Sequence, residues 1–382
     1  MKILHFLWSG AIGGAERAVY QLVREQMGHP GCRVGVMFGQ AHGFYFDRIR
    51  DLGCPILCAN LGNGRDVFKL RAIVHQIGPY EIHHFHNIEP LQFIASVLSG
   101  DKVRVYTERG GNDVWPVMKR MRHKLGGIFL KRYFAAYSAN TAHAARVAGR
   151  RYGLPIDKIN VTYNGIEFSF LCPTRTRLEV REELGVDDME VLIGTAAHLR
   201  PWKRIHRIFE ACALLKDCKS HVLVVGDGPD RSRLEGVAKE LGIASRVSFV
   251  GMKQDVADYL AAMDIFVLPS SELESFGNAV IEAMALGIPS VVFRDSPGLC
   301  EHIDHGTTGF VVDDVEGLAD TIRNLSQNPS LAHKVGTQGA SHVRSKYTLA
   351  RMAQAYRQVY EQAAWKLNSS RGNEIAMTSV KH

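Results

Sequence analysis

The 382-residue sequence predicts an α/β protein of two similar domains, each a parallel sheet wrapped by helices. Three observations carry that class. Short β-branched runs alternate with helical patterns along nearly the whole chain. The rhythm pauses once, through the charged, turn-rich residues Thr174 to Glu190, and then restarts. Glycine clusters fall where strands hand over to helices, the place where open parallel sheets bind ligands.

In order, "MKILHFL" reads as a strand and Ala15 to Met27 as a helix, followed by "RVGVMF" and a helix over Phe44 to Leu52. "YEIHHFH" precedes a helix over Pro90 to Leu98, and "KVRVYT" precedes a long helical stretch before "INVTYNGIEFSFLCP". After the pause come "VLIGTAA", "HVLVVGDG", "RVSFVG", "DIFVLPS", "PSVVF" and "GFVV", each followed by a helical pattern. The restart predicts domains at 1–172 and 173–348, a closing helix at 349–367 and a disordered polar tail at 368–382.

Composition narrows the class. With 46% hydrophobic and 22% charged residues the chain has the balance of a soluble globular protein, and no apolar run approaches the roughly 18 residues of a membrane span. The opening "MKILHFLWSGAIGGAE" carries a glutamate and a helical pattern where a signal-peptide cleavage site should lie. Seven cysteines, without a CxxC pair and scattered through apolar segments, fit free thiols in a reducing compartment, so the expected location is cytoplasmic.

One carboxylate stands out. Glu282 lies in a run, Ala279 to Leu286, that is otherwise apolar, and an ionised carboxylate buried without donors costs several kcal/mol or more. The strand "DIFVLPS" ends at Ser270, "SELES" turns, and a helix is expected from Phe276 until Gly287. Glu274 then stands in the loop at a helix amino terminus, whose N–H groups around Ser275 to Asn278 form an anion site. Glu282 lies about a turn and a half further in, where the vicinal hydroxyls of a ribose would supply paired donors. Pairing with a buried Lys, Arg or His is the alternative. "SGAIGGAERAVYQL" places Gly13 and Gly14 before the first helix without the dinucleotide fingerprint, and "VVGDGPD", with Gly226, repeats the arrangement. A plain strand-to-helix turn accounts for either glycine cluster nearly as well.

These residues resemble a known family. Glu274 and Glu282, with seven residues between them, form the EX7E motif of retaining glycosyltransferases of the GT-B fold, two Rossmann-like domains facing each other across a cleft. "ESFGNAVIEAMALGIPSVV" is similar to glycosyltransferase family 4, and "IGGAERAVYQL", "INVTYNGIE", "VVGDGPDRSRLE", "VSFVGM", "YLAAMDIFVLPS" and "GTTGFVV" follow in family order. The resemblance implies transfer from a nucleotide sugar, a UDP-sugar by expectation, to a lipid-linked or polymeric saccharide, with no metal or other cofactor. It implies that Glu282 holds the ribose, Glu274 the donor sugar, and the amides of Phe276, Gly277 and Asn278 the sugar and phosphate, with Gly13 and Gly14 over the diphosphate. Lys203, in "AAHLRPWKRI", would meet the leaving-group charge.

Two positions depart from the family. His198 stands where an arginine is usual, with Arg200 two residues on, and "VYTERGG" puts Arg109 where a histidine is usual. These departures leave an inactive nucleotide-sugar-binding scaffold open beside a transferase, and a sugar-nucleotide epimerase of the same fold is a further alternative. "IHHFHN", with His83, His84 and His86, suits packing on a strand better than a metal site. Between Asp113 and Asp157 stand nine basic residues, Lys119, Arg120, Arg122, Lys124, Lys131, Arg132, Arg146, Arg150 and Arg151, and no acidic one. Mixed with Trp115, Met118, Met121, Leu125, Ile128 and Phe129, they make 115–151 suited to an anionic membrane surface or acceptor, and equally to a solvated face. No recognisable nucleic-acid module accompanies the patch, so no nucleic-acid partner is expected.

Overall fold

A computed structural model describes residues 1–59, 69–86, 88–110, 117–216 and 218–379, with the side chains of 117–123, 125, 368 and 370–379 outside that description. The chain divides into two compact units, Met1–Gly165 with Leu349–His382, and Ile166–Thr348.

The first unit is built from β1 (Lys2–Leu7), α1 (Gly14–Met27), β2 (Arg33–Phe38), α2 (Phe44–Asp51), β3 (Ile56–Cys58), α3 (Leu70–Ile77) and β4 (Ile82–Phe85). It continues through α4 (Pro90–Leu98), β5 (Val103–Glu108), α5 (Val117–Tyr133), β6 (Ala136–Ala139), α6 (Ala142–Tyr152) and β7 (Ile159–Val161). Its seven strands lie in the order β3-β2-β1-β4-β5-β6-β7, every described pairing parallel. Leu4, Phe6, Phe85 and Ala139 sit in one buried layer with α3, α4 and α6, and Leu7, Val34, Val36 and Phe38 in another with α1. Such strands, covered on both faces, read as continuous apolar runs, which is why β1 and β2 are plain in the sequence.

The second unit runs through α7 (Arg177–Leu184), β8 (Val191–Ala196), α8 (His206–Leu214), β9 (Ser220–Val225), α9 (Arg231–Glu240), β10 (Val247–Gly251), α10 (Val256–Ala261) and β11 (Ile265–Leu268). It closes with α11 (Asn278–Ala285), β12 (Ser290–Phe293), α12 (Pro297–Cys300), β13 (Phe310–Val312), α13 (Val315–Gln327) and α14 (Pro329–Lys346). Six parallel strands are ordered β10-β9-β8-β11-β12-β13 over a core that includes Ile193, Val224, Val267, Val291 and Phe310. Thr176 opens α7 with a capping box to Glu179, the local reason the pause in the strand rhythm ends in a helix.

The last helix, α15 (Leu349–Ser379), returns to the first unit. Met352, Tyr356, Val359, Tyr360 and Ala363 pack against Ile3, Ile82, Val103 and Val105. Its helical backbone continues past 367 to Ser379. Among the described residues no helix is long and apolar enough to cross a membrane.

Candidate active site

In the second sheet the strand order reverses between β8 and β11, and ligands of such sheets gather outside the carboxyl ends of the strands at that point. β8 leads into the segment carrying His198, Arg200 and Lys203, and β11 into the segment carrying Glu274, Phe276 and Gly277. The two segments are bonded together: the Ser271 N–H donates to the Trp202 carbonyl at 2.9 Å, and Lys203 Nζ pairs with Glu274 Oε2. Ser270 Oγ donates to the same carboxylate oxygen at 3.0 Å, and the ammonium lies 4.5 Å from the centre of the Trp202 ring. Directly after Lys203, Arg204 holds φ 51, the one non-glycine residue at positive φ among those described, a conformation that costs about 1–2 kcal/mol. Its guanidinium is tied to Asp295, which Arg207 also grips. His198 and Arg200 are exposed on the same segment.

α11 begins at Asn278 rather than at Phe276, because Gly277 turns at φ 69 before it. A Cβ on Gly277 would run into the Leu299 side chain, so the turn requires glycine twice over. Phe276 and Gly277 therefore belong to the loop, and Glu282, 6% exposed, is the fifth residue of the helix, about one turn inside. Buried His302, which the sequence gives no reason to select, holds this loop. Its Nε2 donates to the Phe276 carbonyl at 2.7 Å, so its Nδ1 accepts from Tyr347 Oη, also at 2.7 Å. Desolvation lowers its pKa to about 3, which keeps the ring neutral in this role. The Gly226 N–H donates to the Gly251 carbonyl at 2.8 Å, and a Cβ would strike the Ala197 carbonyl, so glycine lets two loops approach there.

In the first sheet the order reverses between β1 and β4. Gly13 is the extended residue before α1, and a Cβ there would meet the Glu16 carboxylate. The chain's own carboxylate thus lies where the sequence suggests an anion would bind. Burial raises the Glu16 pKa, and the nearby positive charge of Arg109 opposes that shift. Arg109 itself is tethered. Nε and Nη2 donate to His86 Nδ1 at 3.2 and 3.1 Å, Nη1 to Asn164 Oδ1 at 2.9 Å, and Nη2 to Tyr356 Oη at 3.4 Å. His83 faces the opposite side and bonds Ser96 Oγ at 2.7 Å.

Ligand atoms of His5, His84 and His86 lie within 4.8 Å of one another, close enough for a shared metal ion. Every ring nitrogen of the three is already hydrogen-bonded, so a metal would have to displace those partners. Two cavities, of about 460 and 540 Å³, open at the amino ends of β1 and β2, one beside Lys2, Arg33 and Tyr80 and the other beside Gln26, Arg357 and Tyr360.

Of the basic stretch, Lys124, Lys131, Arg132, Arg146 and Arg150 are exposed, with Ile128 63% and Phe129 54% exposed among them. Arg151 is not part of that surface: its side chain, 8% exposed, pairs with Glu108 at 3.2 Å. Trp115 and the side chains of Met118, Lys119, Arg120, Met121, Arg122 and Leu125 lie outside the described residues.

Residues 176–342 match the family model for glycosyl transferases group 1, and residues 12–170 that for glycosyltransferase family 4. The chain is 31% identical, over 73% of its length and 74% of the relative's, to the N-acetyl-alpha-D-glucosaminyl L-malate synthase of Bacillus anthracis. It is 28% identical to the O-antigen biosynthesis glycosyltransferase WclY of Escherichia coli, over 79% of this chain and 85% of that one. Among solved structures, Anabaena Alr3699/HepE in complex with UDP and glucose superposes with a TM-score of 0.80 at 21% identity, covering 94% of this chain and 98% of that one.

Proposed function

Because the chain belongs to the group 1 glycosyltransferases of glycosyltransferase family 4, with the GT-B fold, we propose that it is a retaining, metal-independent enzyme that moves a sugar from a UDP-sugar to a hydroxyl of a lipid-linked or polymeric saccharide. The observation that carries this is the Lys203–Glu274 pair beside the loop that opens α11, with Glu282 buried one turn inside the helix. An arriving diphosphate draws Lys203 from Glu274, with Arg200 as the second cation of that segment and the first amides of α11 facing the charge. Released, Glu274 accepts from hydroxyls of the donor sugar. Glu282 accepts from the ribose hydroxyls.

In the transfer, the bond from the anomeric carbon to the diphosphate oxygen breaks and the bond to the acceptor oxygen forms on the same face. The acceptor's proton passes to the departing diphosphate. Fixed cations meet the charge that develops there, which is why no metal is invoked. The O-antigen relative supports a saccharide acceptor, the malate synthase relative supports sugar transfer to a hydroxyl, and the neighbour solved with UDP and glucose supports the donor. Peripheral attachment to an anionic membrane through 115–151 belongs to the same proposal, supported by exposed Ile128 and Phe129 among exposed basic residues.

The test is a panel of nucleotide sugars assayed for thermal stabilisation, slow donor hydrolysis and transfer, with and without excess chelator. Stabilisation and hydrolysis by a UDP-sugar, unaffected by chelator, are expected. Loss of turnover in chelator, restored by magnesium, overturns the metal-free mechanism. Donor isomerisation without an acceptor assigns an epimerase, and binding without turnover assigns a scaffold.

A further inference from the structure

The polar interior of the first unit is wired in one direction. Arginine only donates hydrogen bonds, so His86 Nδ1, contacted by Arg109 Nε and Nη2, is an acceptor. The His86 proton then sits on Nε2, which lies 2.9 Å from His5 Nδ1 and donates to it. His5 in turn carries its proton on Nε2 and gives it to Gln26 Oε1 at 2.8 Å. The Gln26 amide donates through Nε2 to Tyr360 Oη at 3.4 Å. Tyr360 Oη, while accepting from Gln26, keeps its own proton to offer His84 Nδ1 at 2.8 Å, and with that choice His84 Nε2 donates to Thr107 Oγ1 at 2.7 Å. At each of the six links one atom gives and the next receives, and a single direction satisfies them all.

We propose that Arg109, His86, His5, Gln26, Tyr360, His84 and Thr107 form a buried one-way hydrogen-bond relay whose direction Arg109 sets, and that His86 and His5 are positioning residues that hold the Arg109 guanidinium at the carboxyl end of the first sheet. The relay stands on the geometry alone; its bearing on turnover rests on the proposed sugar-transfer site, in which Arg109, standing where the family usually has a histidine, would bind the donor diphosphate. His5 and His86 lie stacked, with ring centres 5.2 Å apart, and His84 lies 4.0 Å from His86, so the three rings lock one another in place. His5 and His84 are fully buried, so a ring nitrogen of either that lost its partner would stay unsatisfied. Burial, reinforced by the Arg109 charge, lowers the pKa of all three histidines, that of His5 to about 4, and so keeps the rings neutral as the relay requires.

Nitrogen NMR of the full chain labelled in histidine and arginine tests this, with signals assigned by single substitutions. All three histidines are expected as neutral Nε2–H tautomers from pH 5.5 to 8, and the Arg109 Nε–H as a slowly exchanging signal. An Nδ1–H tautomer at His5 or His86, or titration of either in that range, overturns the relay. Tyr360→Phe removes the donor to His84 Nδ1 and the acceptor of the Gln26 amide but leaves the links from Arg109 to Gln26 in place, so the His84 signal should change while His5 and His86 keep Nε2–H. Equal change in all three contradicts a direction set from Arg109.

His86→Asn retains an acceptor near the place of Nδ1 and should keep the Arg109 Nε–H protected, whereas His86→Phe should speed its exchange by at least tenfold. Unchanged protection in a folded His86→Phe protein rejects the positioning role. Should either variant fail to fold, the wild-type tautomers and Tyr360→Phe still decide the relay. Turnover is expected to follow the same order. If protection is lost and turnover is not, the relay stands and the catalytic role of Arg109 falls.

Discussion

Lys203 and Glu274, 71 residues apart in sequence, close an ion pair in which each side chain is 12% exposed. Neither is thereby spent, because the pair stores a cation and an acceptor at the point where a charged sugar donor would need both. Lys203→Ala should cut turnover by about 100-fold, the scale of losing one preorganised charge stabiliser. It should also lower the melting temperature, since Glu274 loses its cation in a poorly hydrated place. In the double variant with Glu274→Ala, part of that stability should return. A double-mutant cycle in thermal unfolding checks this, and strictly additive losses would show that the pair is not coupled.

Glu282→Ala should weaken UDP binding by about 10- to 100-fold, because hydrogen bonds to a charged group contribute about 1.5–3 kcal/mol. Titration calorimetry reads the affinity directly. Unchanged affinity in a folded variant rules out the ribose role.

Gly277→Ala forces a Cβ into the Leu299 side chain at a left-handed turn, at a cost of about 1–2 kcal/mol from backbone strain alone. The loop should shift and donor affinity should fall more than the melting temperature does. Wild-type affinity in this variant would separate the loop from the donor site.

Acid should destabilise the protein early. His5, His83 and His302 have folded pKa values lowered to about 4, 3 and 3, while the unfolded chain binds protons near 6.5. Above pH 6.5 both states are neutral at these sites and stability is full. Between about 6.5 and 4 the unfolded state holds more protons, so each ring removes up to about 1.4 kcal/mol per pH unit. Urea unfolding at pH 7.5 and 5 measures the loss. His302→Leu should reduce the slope by one ring's share, and a stability equal at the two pH values would contradict buried neutral histidines.

Reversing Lys124, Lys131 and Arg132 to glutamate should reduce sedimentation with anionic vesicles at low salt, since these exposed charges flank exposed Ile128 and Phe129. Equal sedimentation of the two proteins would leave the patch as a solvated face.

The sequence carried the fold wherever a strand was long enough to show an apolar run. β3, only three residues, and β6, the small and polar "AYSA", carry no such signal. The glutamate spacing on either side of Gly277 was legible because it lies within one loop and one helix. The Lys203–Glu274 pair was not, since only the adjacency of β8 and β11 brings it together. The same holds for His5, which meets the β4 histidines because β1 pairs with β4 and places His5 opposite His84. The rhythm of a parallel sheet gives its strands but not their order. His302 left no trace because its importance comes from the Phe276 carbonyl, which every residue type possesses.

The return of α15 to the first unit also has a consequence for how the chain is born. A ribosome releases Ile3, Ile82, Val103 and Val105 long before Met352, Tyr356 and Tyr360, which cover them. The second unit, contiguous from Ile166 to Thr348, can finish folding while the first still shows an apolar face. The nascent first unit is therefore the part most in need of a chaperone, and Tyr360, the last member of the relay to be made, completes the wiring of Arg109 only after the whole second unit has been synthesised.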